Sequence, residues 1–150
     1  MSPRVFVDSN VLLDGLISSW GVSRAILILS VRKVFKIVLA QNVIKEVEEN
    51  LLELLGENPE QGKQLINDYD KLIKLLRPEI VSLTTKEEII KSRHLIKHLP
   101  DVPILVAGIK AAPDWFVTEN TKHFSSAVAK RTGLNIIHPD ELIKILKISK

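Results

Sequence analysis

The sequence predicts an α/β fold: a three-layer α/β/α sandwich around a central parallel sheet of about five strands, built as a single domain over residues 1–150. Three observations carry this expectation. Short apolar runs alternate with longer segments whose apolar residues recur at helical spacing. The short runs are apolar nearly throughout, as strands covered on both faces require. A length of 150 residues suits one core and would cramp two.

The elements follow in order. Arg4–Val7 is a buried strand that ends at the turn Asp8-Ser9-Asn10. Val11–Ile17 has helical length and is broken by Ser18–Gly21; Val22–Lys33 is a second helix carrying Ala25, Ile26, Ile28 and Leu29. Val34–Ala40 is the second strand. From Gln41-Asn42 a helix runs on the stripe Val43, Val47, Leu51, Leu54 and Leu55 until Gly56 and Pro59 end it. Glu60–Leu76 is another amphipathic helix, stopped by Pro78, and Ile80–Leu83 is the third strand. Thr84 or Thr85 with Glu87/Glu88 forms a capping box for a helix reaching about His98. Pro100 breaks it, and Asp101 opens a nearly all-apolar helix over Val102–Ala112. Trp115–Thr118 is the fourth strand, Thr121–Thr132 a helix closed by Gly133, Asn135–Ile137 a fifth strand, and Pro139–Leu146 the last helix.

Composition narrows the function. Apolar residues make up 45% and charged residues 26%, which excludes disorder as the main state. No apolar run approaches the ~20 residues of a membrane span, so no membrane partner is expected. The chain enters a strand at once, without the pattern of a signal peptide. There is no cysteine, which removes disulfides, thiolate metal sites and cysteine nucleophiles and fits a cytoplasmic location. The net charge of +3 permits an anionic partner. Aromatic residues are only 5%, too few for a base-stacking platform.

In open parallel sheets, ligands bind beyond the carboxyl ends of the strands. Asp8, Ser9 and Asn10 follow the first strand. Gln41 and Asn42 follow the second, with Glu46 about one helical turn on. Thr118, Glu119 and Asn120 close the fourth. Asp101 opens the helix leading to that strand and faces the same edge. Asp8, Glu46 and Asp101 can therefore converge, and three convergent carboxylates raise one another's pKa unless a cation offsets their charge. Oxygen donors of this kind suit Mg²⁺ or Mn²⁺. Each residue also has a plainer reading: Asp8 and Asp101 as helix N-caps, Glu46 as part of a solvated face. The four histidines show no persuasive metal-ligand spacing; His94 and His98 stand at i, i+4 but lack a HExxH context.

Four segments together resemble a PIN domain: RVFVDSNVLLDGLIS, IVLAQNVIKEVEENL, LPDVPILVAGIKAAPDWFVTENTKHF and IIHPDELIKIL. Each is short, but their order and their places at strand ends combine, and the resemblance spans essentially the whole chain. It is similar to the subfamily of toxins from toxin–antitoxin systems. The resemblance implies a metal-dependent endoribonuclease acting on single-stranded RNA with Mg²⁺ or Mn²⁺. It also implies an antitoxin protein as partner and a homodimer. Carried over by motif, Asp8, Glu46 and Asp101 match the family's acids. Asn10 and Thr118 match its supporting polar residues, and Asn120 stands at the fourth acidic position, so Asp8, Asp101 and Asn120 are the implied metal ligands. Glu46 would orient or deprotonate the attacking water, and Lys122 and Arg24 would position the RNA backbone.

The family's T-x-D motif reads Thr118-Glu119-Asn120 here. An amide oxygen still ligates a cation but lacks the negative charge, so weaker metal binding is expected. Glu119 does not replace it, because adjacent strand positions point to opposite faces. The rival expectation is a non-catalytic PIN module that binds RNA or a protein partner. A haloacid-dehalogenase-like phosphatase would need an acid where Asn10 stands. A receiver domain would need a phosphoacceptor after the third strand. A dinucleotide-binding fold would need a G-x-G-x-x-G loop, which is absent.

Overall fold

The computed structural model describes residues 2–148. Five parallel strands form one sheet in the order β3-β2-β1-β4-β5, where β1 is Arg4–Val7, β2 Lys36–Ala40, β3 Glu79–Val81, β4 Trp115–Val117 and β5 Ile136–Ile137. Eight α-helices flank it among the described residues: α1 Ser9–Ile17, α2 Val22–Val31, α3 Gln41–Glu57, α4 Pro59–Leu76, α5 Lys86–Ser92, α6 Val102–Ala111, α7 Ser126–Thr132 and α8 Pro139–Ile148. This is the expected α/β/α architecture.

The sheet is buried because its strands carry almost no polar side chains. Val5, Phe6, Val7, Ile37, Val38, Leu39, Phe116 and Val117 are all fully buried. Phe6 and Phe116 lie side by side on β1 and β4, their ring centroids 4.8 Å apart, and Phe124 packs 5.1 Å from Phe116. Arg4 reaches across β2 to pair with Glu79 on the edge strand β3. The hydrogen bond from Arg4, helped by its charge, lowers the pKa of the Glu79 carboxyl.

The strand order reverses between β1 and β4. The chain leaves β1 toward β2 and β3 on one side, then returns through α5 and α6 to place β4 on the other. Such a reversal opens a crevice at the carboxyl ends of its two strands. The Asp8 N–H donates to the Val117 carbonyl at 3.0 Å, which fixes the ends of the two strands level with each other.

Several element ends differ from expectation. β2 starts at Lys36 because the Val34 N–H turns back to the Leu29 carbonyl at 3.0 Å, with Lys33 in the left-handed region at φ 63°. The helix opened by Thr85 stops at Ser92 and passes into one 3₁₀ turn, Arg93–Leu95, before Ile96 drops into the core. β3 ends at Val81, and the Leu83 N–H instead bonds the Gln41 side chain at 3.2 Å. Residues 121–124 form a turn, and α7 begins only after Ser125, which caps it. Among the described residues no single helix is long and apolar enough to cross a membrane; α1 and α2 meet at 94°.

Candidate metal centre

Asp8 caps α1 and does more than cap it. Its Oδ1 accepts the Ser9 N–H at 2.7 Å, while its Oδ2 accepts the Thr118 hydroxyl at 2.7 Å and the Asn10 amide at 3.3 Å. Thr118 is fully buried beneath it and also accepts the Asn120 N–H at 3.0 Å. The Asn10 carbonyl oxygen in turn accepts the Glu119 N–H at 3.2 Å. The residues after β1 and after β4 thus hold one another, with Asp8 at the centre.

Asp8 is only 5% exposed. Burial pushes its carboxyl pKa up, the bonds from Thr118 and Ser9 pull it down, and the charges of Glu46 and Asp101 push it up again. None of the ion pairs among the described residues involves Asp8 or Glu46. A buried carboxylate facing two more acids, with no side-chain cation to balance it, is the charge deficit that a divalent ion fills. The donors are carboxylate and amide oxygens, which fit Mg²⁺ or Mn²⁺.

A cavity of about 360 Å³ gathers these groups: Asp8, Asn10, Glu46, Asp101 and Asn120 all line it. Asp101 sits in a 3₁₀ turn, Leu99–Asp101, and its side chain makes no cap bond to α6. Asp101 thus stands at the N-cap position of α6 without capping it, and its carboxylate instead lines the cavity, with Oδ2 held by the His98 and His123 rings. Glu46 lies on the exposed side of α3, one turn beyond β2. A larger cavity of about 420 Å³, between α1, α2 and α4, is mostly apolar and brings no cluster of carboxylates together.

The family model for the PIN domain matches residues 4–122. The chain belongs to the PIN domain family. No curated protein matches the chain in sequence. Solved structures with the same fold include VapBC2 from Rickettsia felis, bound to a DNA fragment from their promoter, at 19% identity and TM-score 0.61 over 90% of this chain and 98% of that one. FitAcB from Neisseria gonorrhoeae is similar at 14% identity and TM-score 0.68, over 90% and 97%. PAE2754 from Pyrobaculum aerophilum is similar at 11% identity and TM-score 0.66, over 97% and 90%.

In this PIN domain the remaining expected residues divide. The Asn120 amide is committed to His123, with Nδ2 2.9 Å from its Nδ1 and Oδ1 accepting its N–H at 3.4 Å. Glu119 lies in the bend past the end of β4, is not among the residues lining the cavity, and accepts the Ser23 hydroxyl at 3.1 Å. Burial and the neighbouring Asp14 carboxyl hold Glu119 above the usual range. Arg24 turns its Nη1 to the carbonyls of Gly15, Leu16 and Ser18, at 3.4–3.5 Å, closing the end of α1, and is not among the residues lining the acidic cavity.

Sequence reasoning missed His98 and His123. Both place Nδ1 against Oδ2 of Asp101, at 2.9 Å and 2.7 Å, with the two rings stacked 4.2 Å apart. The only signal in the sequence is that each stands three residues from a candidate ligand, His98 before Asp101 and His123 after Asn120.

Proposed function

We propose that the whole chain works as a single PIN domain, a Mg²⁺- or Mn²⁺-dependent endoribonuclease that hydrolyses phosphodiester bonds in single-stranded RNA. The observation that carries this reading is the buried, uncompensated Asp8 carboxylate in one cavity with Glu46 and Asp101. Family membership supports it, since PIN domains are generally nucleases. Asp8, Asp101 and Asn120 would hold the ion. When bound, such an ion activates water and stabilises charge on phosphoryl oxygens.

The chain's own residues do the rest. Thr118 and Asn10 both donate to Asp8 Oδ2 and so orient the carboxylate toward the cavity in one geometry rather than several. Glu46, exposed at the cavity wall, orients the attacking water and accepts its proton. Displacement in line at phosphorus then releases the 3′ oxygen, and no covalent intermediate with the protein is required.

The same reading makes the protein a cytoplasmic toxin held by an antitoxin protein, and a homodimer. The likeness in fold to VapBC2 and FitAcB supports the first part. Exposed apolar side chains at Trp20 (83%) and Leu75 (62%) support the second. The competing reading, a non-catalytic module, is favoured by one observation: the Asn120 amide already serves His123.

Cleavage of a labelled single-stranded RNA pool decides between them. With Mn²⁺ or Mg²⁺, cutting is expected that EDTA stops and that an identically purified Asp8→Asn protein lacks. A folded wild-type protein that binds RNA with either ion and never cuts it would establish the binding module instead.

A further inference from the structure

We propose that His98, Asp101 and His123 form a second cation site, one that takes a nitrogen-preferring divalent ion, Zn²⁺ in the first instance. It shares the Asp101 carboxylate with the acid cluster but does not depend on that cluster cutting RNA.

The geometry is that of converging ligands. One donor atom from each of the three residues falls within 4.8 Å of the others. Both imidazole Nδ1 atoms approach the same carboxylate oxygen, at 2.9 Å and 2.7 Å. Zinc–nitrogen bonds of ~2.1 Å in a tetrahedral site place ligand atoms roughly 3.4 Å apart. The two nitrogen–oxygen separations therefore open by about half to three-quarters of an ångström, within reach of side-chain rotation. Three protein ligands leave a fourth position open.

A second observation points the same way. His123 Nδ1 stands 2.7 Å from Asp101 Oδ2 and 2.9 Å from Asn120 Nδ2. If Nδ1 carries a proton it donates to the carboxylate and meets the amide N–H₂ head on. If it carries none it accepts from the amide and sets a lone pair against a carboxylate oxygen. One proton position cannot serve both neighbours, whereas a cation shared by the lone pairs of His98, His123 and Asp101 serves those three once the Asn120 amide turns its oxygen toward the ring. The two rings stack at 28° with centroids 4.2 Å apart, which holds the imidazoles together beside Asp101.

The donor set decides the ion. Imidazole nitrogen favours Zn²⁺, Co²⁺ or Ni²⁺, while the all-oxygen set around Asp8 favours Mg²⁺ or Mn²⁺. The two imidazole side chains are 48% and 38% exposed, so the site loads directly from solvent.

Untagged protein titrated with Co²⁺ tests this, because Co²⁺ absorbs visibly when held by few ligands including imidazole. We expect one equivalent of Co²⁺ to bind, to resist excess Mg²⁺ and to be displaced by Zn²⁺. His98→Ala and His123→Ala should each weaken Co²⁺ binding by more than about tenfold, with far-ultraviolet circular dichroism unchanged. Asp8→Asn should leave the Co²⁺ signal intact. Absence of the band, or a Co²⁺ affinity that survives both histidine substitutions and disappears in Asp8→Asn, overturns the proposal. Absorbance is read without RNA, so an inactive nuclease would not sink the site, nor an empty site the nuclease.

Discussion

At the scale of single residues, position relative to a strand end explains what could be read in advance. Asp8 and Thr118 are the first polar groups after β1 and β4, and Asp101 opens the segment between a proline break and an apolar helix, so their convergence follows from chain order and topology. His98 and His123 sit on irregular backbone, one before a 3₁₀ turn and one within the turn 121–124, and no periodicity announces which way such residues face. Two predictions belong here. Asn120→Asp restores a charge at the cavity, and calorimetry should show Mn²⁺ affinity rising roughly tenfold, about 1.4 kcal/mol; unchanged or weaker binding would exclude Asn120 as a ligand position. The second concerns pH. Asp8 is raised above its ordinary value of 3.8, chiefly by burial. A raised acid stabilises the fold fully only below that ordinary value, and the contribution is lost as pH climbs through the raised one. Metal-free protein should therefore lose stability relative to Asp8→Asn from pH 4 upward, measured as urea midpoints.

At the scale of elements, strands and long helices were legible because burial writes itself into composition. Their ends were not. Val34 is apolar and β-branched, yet a hydrogen bond to Leu29 keeps it in the turn after α2. Thr121 through Phe124 could extend a helix, yet Ser125 caps α7 later, and the Phe124 N–H closes onto the Asn120 carbonyl at 3.0 Å. Local hydrogen bonds of this kind carry no pattern that a sequence displays. The contact of α6 with β4 was equally hidden. It depends on Gly108, where an added Cβ would stand 2.5 Å from Cε2 of the fully buried Phe116. Neither the helix nor the ring, stacked on Phe6, has room to move. Gly108→Ala should cost about 1–3 kcal/mol despite the better helix propensity of alanine, seen as a lower chemical-denaturation midpoint; a neutral or stabilising result would mean that α6 shifts freely.

At the scale of the whole molecule, the sheet joins groups far apart in the chain, and a bound ion should act on the fold as one unit. Mg²⁺ at ten times its dissociation constant stabilises by about 1.4 kcal/mol, which for a domain of this size raises the unfolding midpoint by roughly 3–6 °C. Asp8→Asn should show no such rise in a thermal scan; an equal rise in the variant would place the ion elsewhere.

The bond from Thr118 to Asp8 spans 110 residues. Until Thr118 has left the ribosome and β4 has docked on β1, Asp8 lacks the hydroxyl that fixes it, and neither Asn10 nor the Asn120 backbone has its partner there. Most of the helical mass precedes that moment in synthesis. On the proposed ribonuclease reading the chain is thereby built in a safe order: Asp8 is not fixed until residue 118 of 150 has been made, has cleared the ribosome and has docked, so the nascent protein would stay harmless to the message being translated.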